Sequence, residues 1–336
     1  MRFKDAVQSP HCNHRPKGVP TLADFALVKV DTPKLSDGEV LVRNHLLSLD
    51  PYMRSLMDGG DSYIPGLQLG DVMTGHTVGQ VVISKHPDFK EGDYVWGPGQ
   101  WQDFAVLKSP PMRKIDQNLA PLSAWLSPMG LPGWTAHIGF LDLCAPKSGE
   151  TIVVSSASGA VGGFVGQLAR EMGLKVVGIS GGPEKCAYAV SELGYHACID
   201  YKAADFASRL TAACPDGIDI NFENVGGVIL ETIWPLLNNN ARVLVCGLIA
   251  QLNHTSPYPG PDLMKLLKAR ATMRGFVILD HLAKVPDAIR QMAEKVAAGT
   301  INYRTHVTDG LENAPEAFIG MLQGRNFGKA IVKIAS

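Results

Sequence analysis

The chain has 336 residues, 46% of them hydrophobic and 19% charged, with 31 Lys and Arg against 32 Asp and Glu for a formal charge of −1. At roughly 100 to 200 residues per domain this length predicts about two globular domains, and an apolar content near one half excludes a disordered chain. Balanced charge supplies no field that would recruit nucleic acid or an anionic membrane, so neither is an expected partner. In chain order, short alternating apolar runs at 25–30, 39–47, 79–83, 94–96 and 103–107 come first, separated by Gly, Pro and Asp. They predict a β-rich, partly barrel-like domain.

From about residue 150 the pattern becomes strand then helix, repeated. Strands are expected at 151–155, 175–179, 197–200, 219–222, 242–246 and 272–278, with helices at 161–172 and 184–193 among the connections. Buried strands alternating with amphipathic helices predict a doubly wound parallel sheet, because parallel strands need long crossovers. Helices at 280–298 and 312–323 and a strand at 329–334 follow. That last strand is expected to rejoin the first domain. The fold class is then α/β, a doubly wound domain at 126–299 inserted in a β-rich domain built from 1–125 and 300–336.

Six cysteines, Cys12, Cys144, Cys186, Cys198, Cys214 and Cys246, are scattered singly. This matches neither a disulfide framework nor a zinc ribbon, and it predicts a reducing, cytoplasmic setting. Residues 1–10 lack the apolar core of a secretory signal, and no apolar run nears the roughly eighteen residues of a membrane span.

The strongest local signal follows the strand at 151–155, where Ala157, Ser158, Gly159, Ala160, Val161, Gly162 and Gly163 precede a helix. Dinucleotide binding needs a tight turn, bare backbone beside the pyrophosphate and close helix–strand packing, each favouring small residues. The helix N-terminus adds N–H groups and a positive dipole end. The second strand ends Gly178, Ile179, Ser180, Gly181, Gly182, Pro183, Glu184, Lys185. An NAD site usually ends that strand with an acid on the ribose 2′-OH. Here the tip is neutral and Lys185 suits a 2′-phosphate, so NADPH is the expected cofactor. Glu184 competes as the acid, although beyond Pro183 it falls in the next helix.

His76, in Gly75-His76-Thr77, resembles the Gly-His-Glu element of zinc alcohol dehydrogenases, but Thr77 replaces the Glu and no Cys lies between Cys12 and Cys144. A catalytic zinc takes three protein ligands. No metal is expected, His76 reads as a structural residue, and His11 and His14 read as a flexible segment ahead of the first element.

Several segments together resemble the zinc-independent medium-chain reductases. They are Asp50-Pro51-Tyr52-Met53-Arg54, Met129-Gly130-Leu131-Pro132-Gly133, the Ala157 to Gly162 turn, Glu223-Asn224-Val225-Gly226-Gly227 and Asn326-Phe327-Gly328-Lys329. The set looks like the leukotriene B4 dehydrogenase / prostaglandin reductase branch. The runs Gly181 to Cys186 and Thr308 to Pro315 look closest to bacterial NADPH-dependent curcumin reductases. The resemblance implies a GroES-like β domain, a Rossmann domain and a homodimer.

It also implies cofactor contacts at Gly159, Ala160, Val161 and Gly162 for the pyrophosphate, and at Lys185 and Tyr201 for the 2′-phosphate. Asn224, Cys246, Gly247, Leu248, Ile249, Phe276, Val277, Ile278 and Asn326 complete the set. Each has a plainer alternative: Asn224 a turn, Tyr201 a surface aromatic, Asn326 a cap.

The implied reaction reduces the carbon–carbon double bond of an α,β-unsaturated ketone or aldehyde, with NADPH supplying hydride to the β-carbon. The protein must then aim a donor at the carbonyl oxygen. Relatives commonly place a tyrosine six residues after Cys246, and here that position is Leu252, which cannot donate. Tyr52 and Tyr258 are the expected replacements, and Tyr52, Tyr63, Trp101 and Tyr258 the expected substrate contacts. A quinone reductase, or a cofactor-binding protein of weak turnover, stays open. His137, where relatives carry an aromatic, reads as a packed helix residue.

Overall fold

The computed structural model describes residues 7–31, 34–60 and 62–334. It divides into two compact units, Met1–Ser127 with Thr305–Ser336, and Pro128–Arg304. The first unit begins with β1 (Val7–Cys12), β2 (Phe25–Val30), β3 (Glu39–Ser48), β4 (Thr77–Ser84), β5 (Tyr94–Gly97), β6 (Phe104–Lys108) and β7 (Arg113–Lys114). The second holds β8 (Thr151–Ser155), β9 (Lys175–Ser180), β10 (Ala197–Asp200), β11 (Ile218–Glu223), β12 (Leu237–Val245) and β13 (Thr272–Gly275). The chain returns to the first with β14 (Thr305–Asp309) and β15 (Lys329–Lys333).

In the first unit a seven-stranded sheet has six strands in the order β14-β15-β3-β4-β5-β7 and the seventh, β6, also on β3, with β1 paired to β2 in a separate sheet. The long β3 is shared: Glu39 to Arg43 pair with β6, and Leu46 to Ser48 pair with β15. Register shifts at Leu41/Val42 and Asn44/Leu46 bend it between those partners. Val40, Val42, Val81, Phe89, Val95, Ala105 and Leu107 alternate inward to form its core.

The second unit is a six-stranded parallel sheet in the order β10-β9-β8-β11-β12-β13. Every residue of β8 is buried, as expected of a strand covered on both faces. Counted from β8, the order is the Rossmann 3-2-1-4-5-6, and windings diverge between β8 and β11, where such a sheet binds its ligand beyond the strands' carboxyl ends. Among the described residues no helix is long and apolar enough to cross a membrane.

Several local expectations are corrected. The 272–278 strand stops at Gly275, and Phe276 enters a turn after its N–H bonds Val245 O at 3.0 Å. The 280–298 helix is a kinked 3₁₀ stretch, Ile278–Lys284, followed by an α-helix, Val285–Ala297. Pro286, in the first turn of the second piece, has no N–H to continue the first. The segment of His11 and His14 is tied down: His11 lies in β1, its ring bonds Ser9 Oγ at 2.8 Å and Gly70 O at 2.5 Å, and the His14 ring bonds Ala23 O at 2.8 Å. β1 escapes sequence inspection because Pro10 interrupts it, which is tolerated only on an edge.

Candidate functional site

The turn after β8 is shaped by its small residues. Ser156 takes a left-handed φ of 54°, Gly159 N–H closes the turn on Ser156 O at 2.9 Å, and the helix Gly162–Glu171 begins. A Cβ on Gly162 would lie 2.3 Å from Ser156 O and 3.2 Å from Ala157 Cα, so only glycine fits. Gly159, Ala160 and Val161 are half-buried. The Gly163 and Phe164 N–H groups are taken up by Gly159 O at 2.9 Å and Val161 O at 3.0 Å, and the helix start presents a positive dipole end to the turn, which fits a pyrophosphate.

Tyr195 is buried and unforeseen by sequence inspection; its hydroxyl donates to Gly162 O at 2.6 Å, and its ring fills the space a Cβ on Gly166 would need, 2.1 Å away. It locks the helix start against the sheet.

At the tip of β9 the strand passes through Gly181 and Gly182 into the helix Pro183–Ser191, whose first turn bears Lys185. Asp200 Oδ1 at the end of β10 accepts the Gly182 N–H at 2.8 Å and the Lys202 N–H at 3.0 Å. Partial burial acts the other way, but these donors hold the Asp200 carboxyl below the usual carboxylate range. Gly181 is overlaid by Tyr201 and Lys202: a Cβ there would meet Tyr201 Cε1 at 2.9 Å and Lys202 Cε at 3.2 Å. Burial, then repulsion from Lys202, lowers the Lys185 pKa, so two cations converge on one corner. Such convergence suits a dianionic phosphate. Lys202 and Asp200 are further residues that the sequence motifs do not mark.

At the switch point the buried residue Glu223 ties three strand ends together, β8 and β11 through its carboxylate and β12 through its backbone oxygen. Glu223 Oε1 accepts from Ser155 Oγ at 2.7 Å and from the Val225 and Gly226 N–H groups at 2.8 Å each, while Oε2 accepts from Asn221 Nδ2 at 3.0 Å. Asn224 donates its N–H to Ser155 Oγ at 2.7 Å and its side-chain amide to Ser155 O at 2.8 Å. From β12, the Cys246 and Gly247 N–H groups bond Glu223 O at 2.9 and 3.1 Å. Ile249 N–H bonds Asn224 O at 3.3 Å, and Leu248 lies between. Burial, then the Glu223 charge, pushes the Cys246 thiol up to about 12, so it stays protonated near neutral pH. Phe276 is buried, and Val277 and Ile278 are half-buried.

Leu252 ends the 3₁₀ turn Ile249–Gln251 and is half-buried. Tyr258 donates its hydroxyl to Glu231 Oε1 at 2.5 Å, and that bond first, then partial desolvation, raises its pKa. His137 is buried, and burial lowers its pKa.

In the first unit Tyr52 opens the helix Tyr52–Leu56; burial, then the charge of Asp50, raises its pKa, and its side chain bonds Thr74. Tyr63 is 54% exposed. Asn326 folds its amide onto Gly328 O at 2.8 Å. Trp101 corrects expectation: it is fully buried, stacked on Phe25 at 5.9 Å and edge-on to Phe318 at 5.5 Å, a core residue with no surface to offer a substrate.

His76 is stacked on Trp96 at 4.6 Å, and burial, with Lys329 nearby, lowers its pKa to about 4. Lys329 Nζ is buried against Leu49 O at 2.7 Å and Asp50 Oδ1 at 2.6 Å, and Ser48 donates to the other oxygen of Asp50. Among the described residues no three His, Cys, Asp or Glu side chains converge as metal ligands. A buried ammonium on the carboxylate nearest His76 does not fit zinc.

A model of the N-terminal domain of oxidoreductases matches residues 10–115, and a zinc-binding dehydrogenase model matches residues 160–297. The chain is 45% identical over 327 residues to the NADPH-dependent curcumin reductase of Escherichia coli, covering 96% of this chain and 95% of that protein. It is 38% identical to the NADP(+)-dependent 2-alkenal reductase of Nicotiana tabacum, covering 95% and 94%. The crystal structure of CurA in complex with NADPH from Vibrio vulnificus superposes with a TM-score of 0.93 at 44% identity, covering 98% of this chain and 99% of that one.

Proposed function

The chain belongs to the medium-chain dehydrogenase/reductase family, and on that premise we propose that it catalyses NADPH-dependent reduction of the carbon–carbon double bond of α,β-unsaturated ketones and aldehydes, curcumin-like enones among them. The observation that carries this is the corner where Lys185 and Lys202 converge on an uncharged strand tip, beside a glycine turn at the sheet's switch point. That corner has the charge for a 2′-phosphate, and the acid at the end of β10, Asp200, is engaged by the Gly182 and Lys202 N–H groups.

The bound cofactor supplies the hydride for the β-carbon. Gly159, Ala160, Val161 and Gly162 would hold the pyrophosphate, Lys185 and Tyr201 the 2′-phosphate, and Asn224, Cys246 to Ile249 and Phe276 to Ile278 would border the remainder. Tyr52 is assigned as the donor to the carbonyl oxygen, as a half-buried phenol that is protonated near neutral pH and is not bound to a carboxylate. Tyr258 ranks second because its proton is engaged by Glu231. Tyr63 borders the substrate. One observation favours a second reading: Leu252 cannot donate, and loss of one oxyanion donor typically costs about 2.7 to 4 kcal/mol, which would leave a cofactor-binding protein of weak turnover.

A homodimer is supported by β13, all four residues of which are exposed at the sheet edge, beside Leu263 and Leu267 at 66% and 70% exposure on the preceding helix. Cytoplasmic residence is supported by the six free thiols.

The test is a panel of enones, enals and quinones with NADPH and NADH, using nicotinamide deuterated at the transferred position. Faster NADPH oxidation with deuterium on the β-carbon is expected. Label at the carbonyl carbon would indicate alcohol dehydrogenase chemistry instead, and tight NADPH binding without oxidation would favour the weak-turnover reading.

A further inference from the structure

The segment that leads into β4 turns two side chains to one half-open face. Met73, Gly75 and Thr77 are buried, while Thr74 and His76 between them are half-buried. Met73 O and Gly75 O accept the Trp101 and Gln100 N–H groups at 2.8 and 2.9 Å, the spacing of an extended chain. Gly75 faces the core, where a Cβ would lie 2.7 Å from Leu47 Cδ1 and 3.0 Å from Trp101 Cδ1, so Thr74 and His76 point the other way. Thr74 bonds the Tyr52 side chain, and His76 O accepts the Ser48 N–H at 2.9 Å, at the strand end that continues through Asp50 to Tyr52. His76 and Tyr52 therefore border the same face of the first unit. One side of the His76 ring is covered by Trp96, and Nδ1 is buried without a hydrogen-bond partner. Nε2, also without a partner among the described residues, keeps solvent access. A proton on Nδ1 would orphan a buried N–H, which is rarer in folded proteins than an unpaired acceptor, so the ring proton belongs on Nε2. The nearest charges, Asp50 and Lys329, are bonded to each other at 2.6 Å and leave the ring no net charge to answer. Burial keeps it neutral near pH 7.

We propose that His76 is a further catalytic residue, whose Nε2–H is a second donor beside the Tyr52 hydroxyl to the carbonyl oxygen of the enone and supplies what Leu252 cannot. As hydride adds to the β-carbon, the carbon–carbon π pair moves in between the α-carbon and the carbonyl carbon, and the carbonyl pair moves onto oxygen. The Nε2–H holds that oxygen and keeps its own proton. The carbonyl reforms as the α-carbon takes a proton from water, so one hydride and one proton saturate the bond. A neutral imidazole suits this duty, because its N–H is too weakly acidic to be surrendered to the oxygen and no carboxylate competes for it. The role in turnover rests on the assignment of enone reduction to this chain; the state of the ring does not.

His76→Phe keeps a ring against Trp96 and removes the donor, whereas His76→Gln returns an amide N–H at the same reach. Both are compared with the unaltered protein for kcat and KM on an enone with NADPH. The unaltered protein, free of cofactor and carrying isotope-labelled histidine, is read by proton–nitrogen correlation NMR at pH 7, the His76 signal being the one missing from His76→Gln. The expected spectrum is that of a neutral ring with its proton on Nε2. The expected kcat of His76→Phe is lower by about a hundredfold to a thousandfold with the enone KM within about threefold, and His76→Gln recovers about tenfold or more of that loss. A charged ring or a proton on Nδ1 would overturn the donor. So would an unchanged kcat in His76→Phe, or equal losses in the two variants, which is what a packing role gives. Unaltered protein that leaves the β-carbon of every enone unreduced would overturn the enone reading and the donor's role in turnover together.

Discussion

Lys185 sits where burial and a second lysine both oppose its charge, and a bound phosphate relieves both. Lys185→Met is therefore expected to raise the NADPH KM about tenfold or more while moving the NADH KM within about twofold, measured by initial rates at low ionic strength. Equal losses with both cofactors would detach Lys185 from the 2′-phosphate. Glu223 acts one layer further in. Glu223→Gln keeps one oxygen for Ser155, Val225 and Gly226 but removes the charge that accepts their bonds and sets an N–H₂ against Asn221. We expect a loss of about 1–3 kcal/mol in urea unfolding together with weaker NADPH binding. Leu252→Tyr restores a phenol at the position relatives use, and kcat on enones is expected to rise by up to about a hundredfold. An unchanged rate would leave the donor with Tyr52. Lys185 stands out in the sequence because it follows Gly181 and Gly182, whereas Tyr201 is reached only through the family resemblance. The roles of Lys202, Asp200, Tyr195 and Glu223 do not stand out, because each is defined by a partner on another strand.

At the scale of the element, the phosphate turn tolerates little. Gly162→Ala would press a methyl onto Ser156 O at 2.3 Å, a backbone atom that cannot move aside. The variant is expected to fold with a displaced helix start and lose most of its NADPH affinity, measured by fluorescence titration beside a thermal melt. Gly182 sets a different limit, since its φ of 98° is strained for any side chain although nothing lies within 4 Å. The parallel strands were readable from sequence because burial on both faces leaves an uninterrupted apolar run, as in β8. β14, with an exposed and irregular pattern, leaves no such trace, nor does the helix Leu131–His137, which opens on Leu131, Pro132 and Gly133. That helix needs Gly133, whose Cβ would fall 1.7 Å from Pro128 O.

Across the whole molecule, acid stability depends on buried imidazoles. His76 titrates near its ordinary 6.5 when unfolded and near 4 in the fold. Between those values the unfolded chain binds the extra proton, so stability present above pH 6.5 is lost as pH falls toward 4, by roughly 3 kcal/mol from this group. Lowered values at His45 and His137 act in the same direction. His76→Phe, which keeps a ring against Trp96, is expected to flatten the urea midpoint between pH 7 and 5. An unaltered slope would place the acid sensitivity elsewhere.

Composition and periodicity by themselves determined the doubly wound sheet and the small-residue turn after β8, because burial on both faces and a forbidden Cβ leave marks in the local order of residues. Tertiary structure alone decided that Trp101 is core, that His76 lies beside a lysine-neutralised carboxylate, and that Glu223 ties three strand ends. Those are pairings across the chain, and sequence distance does not constrain which side chains share a buried partner.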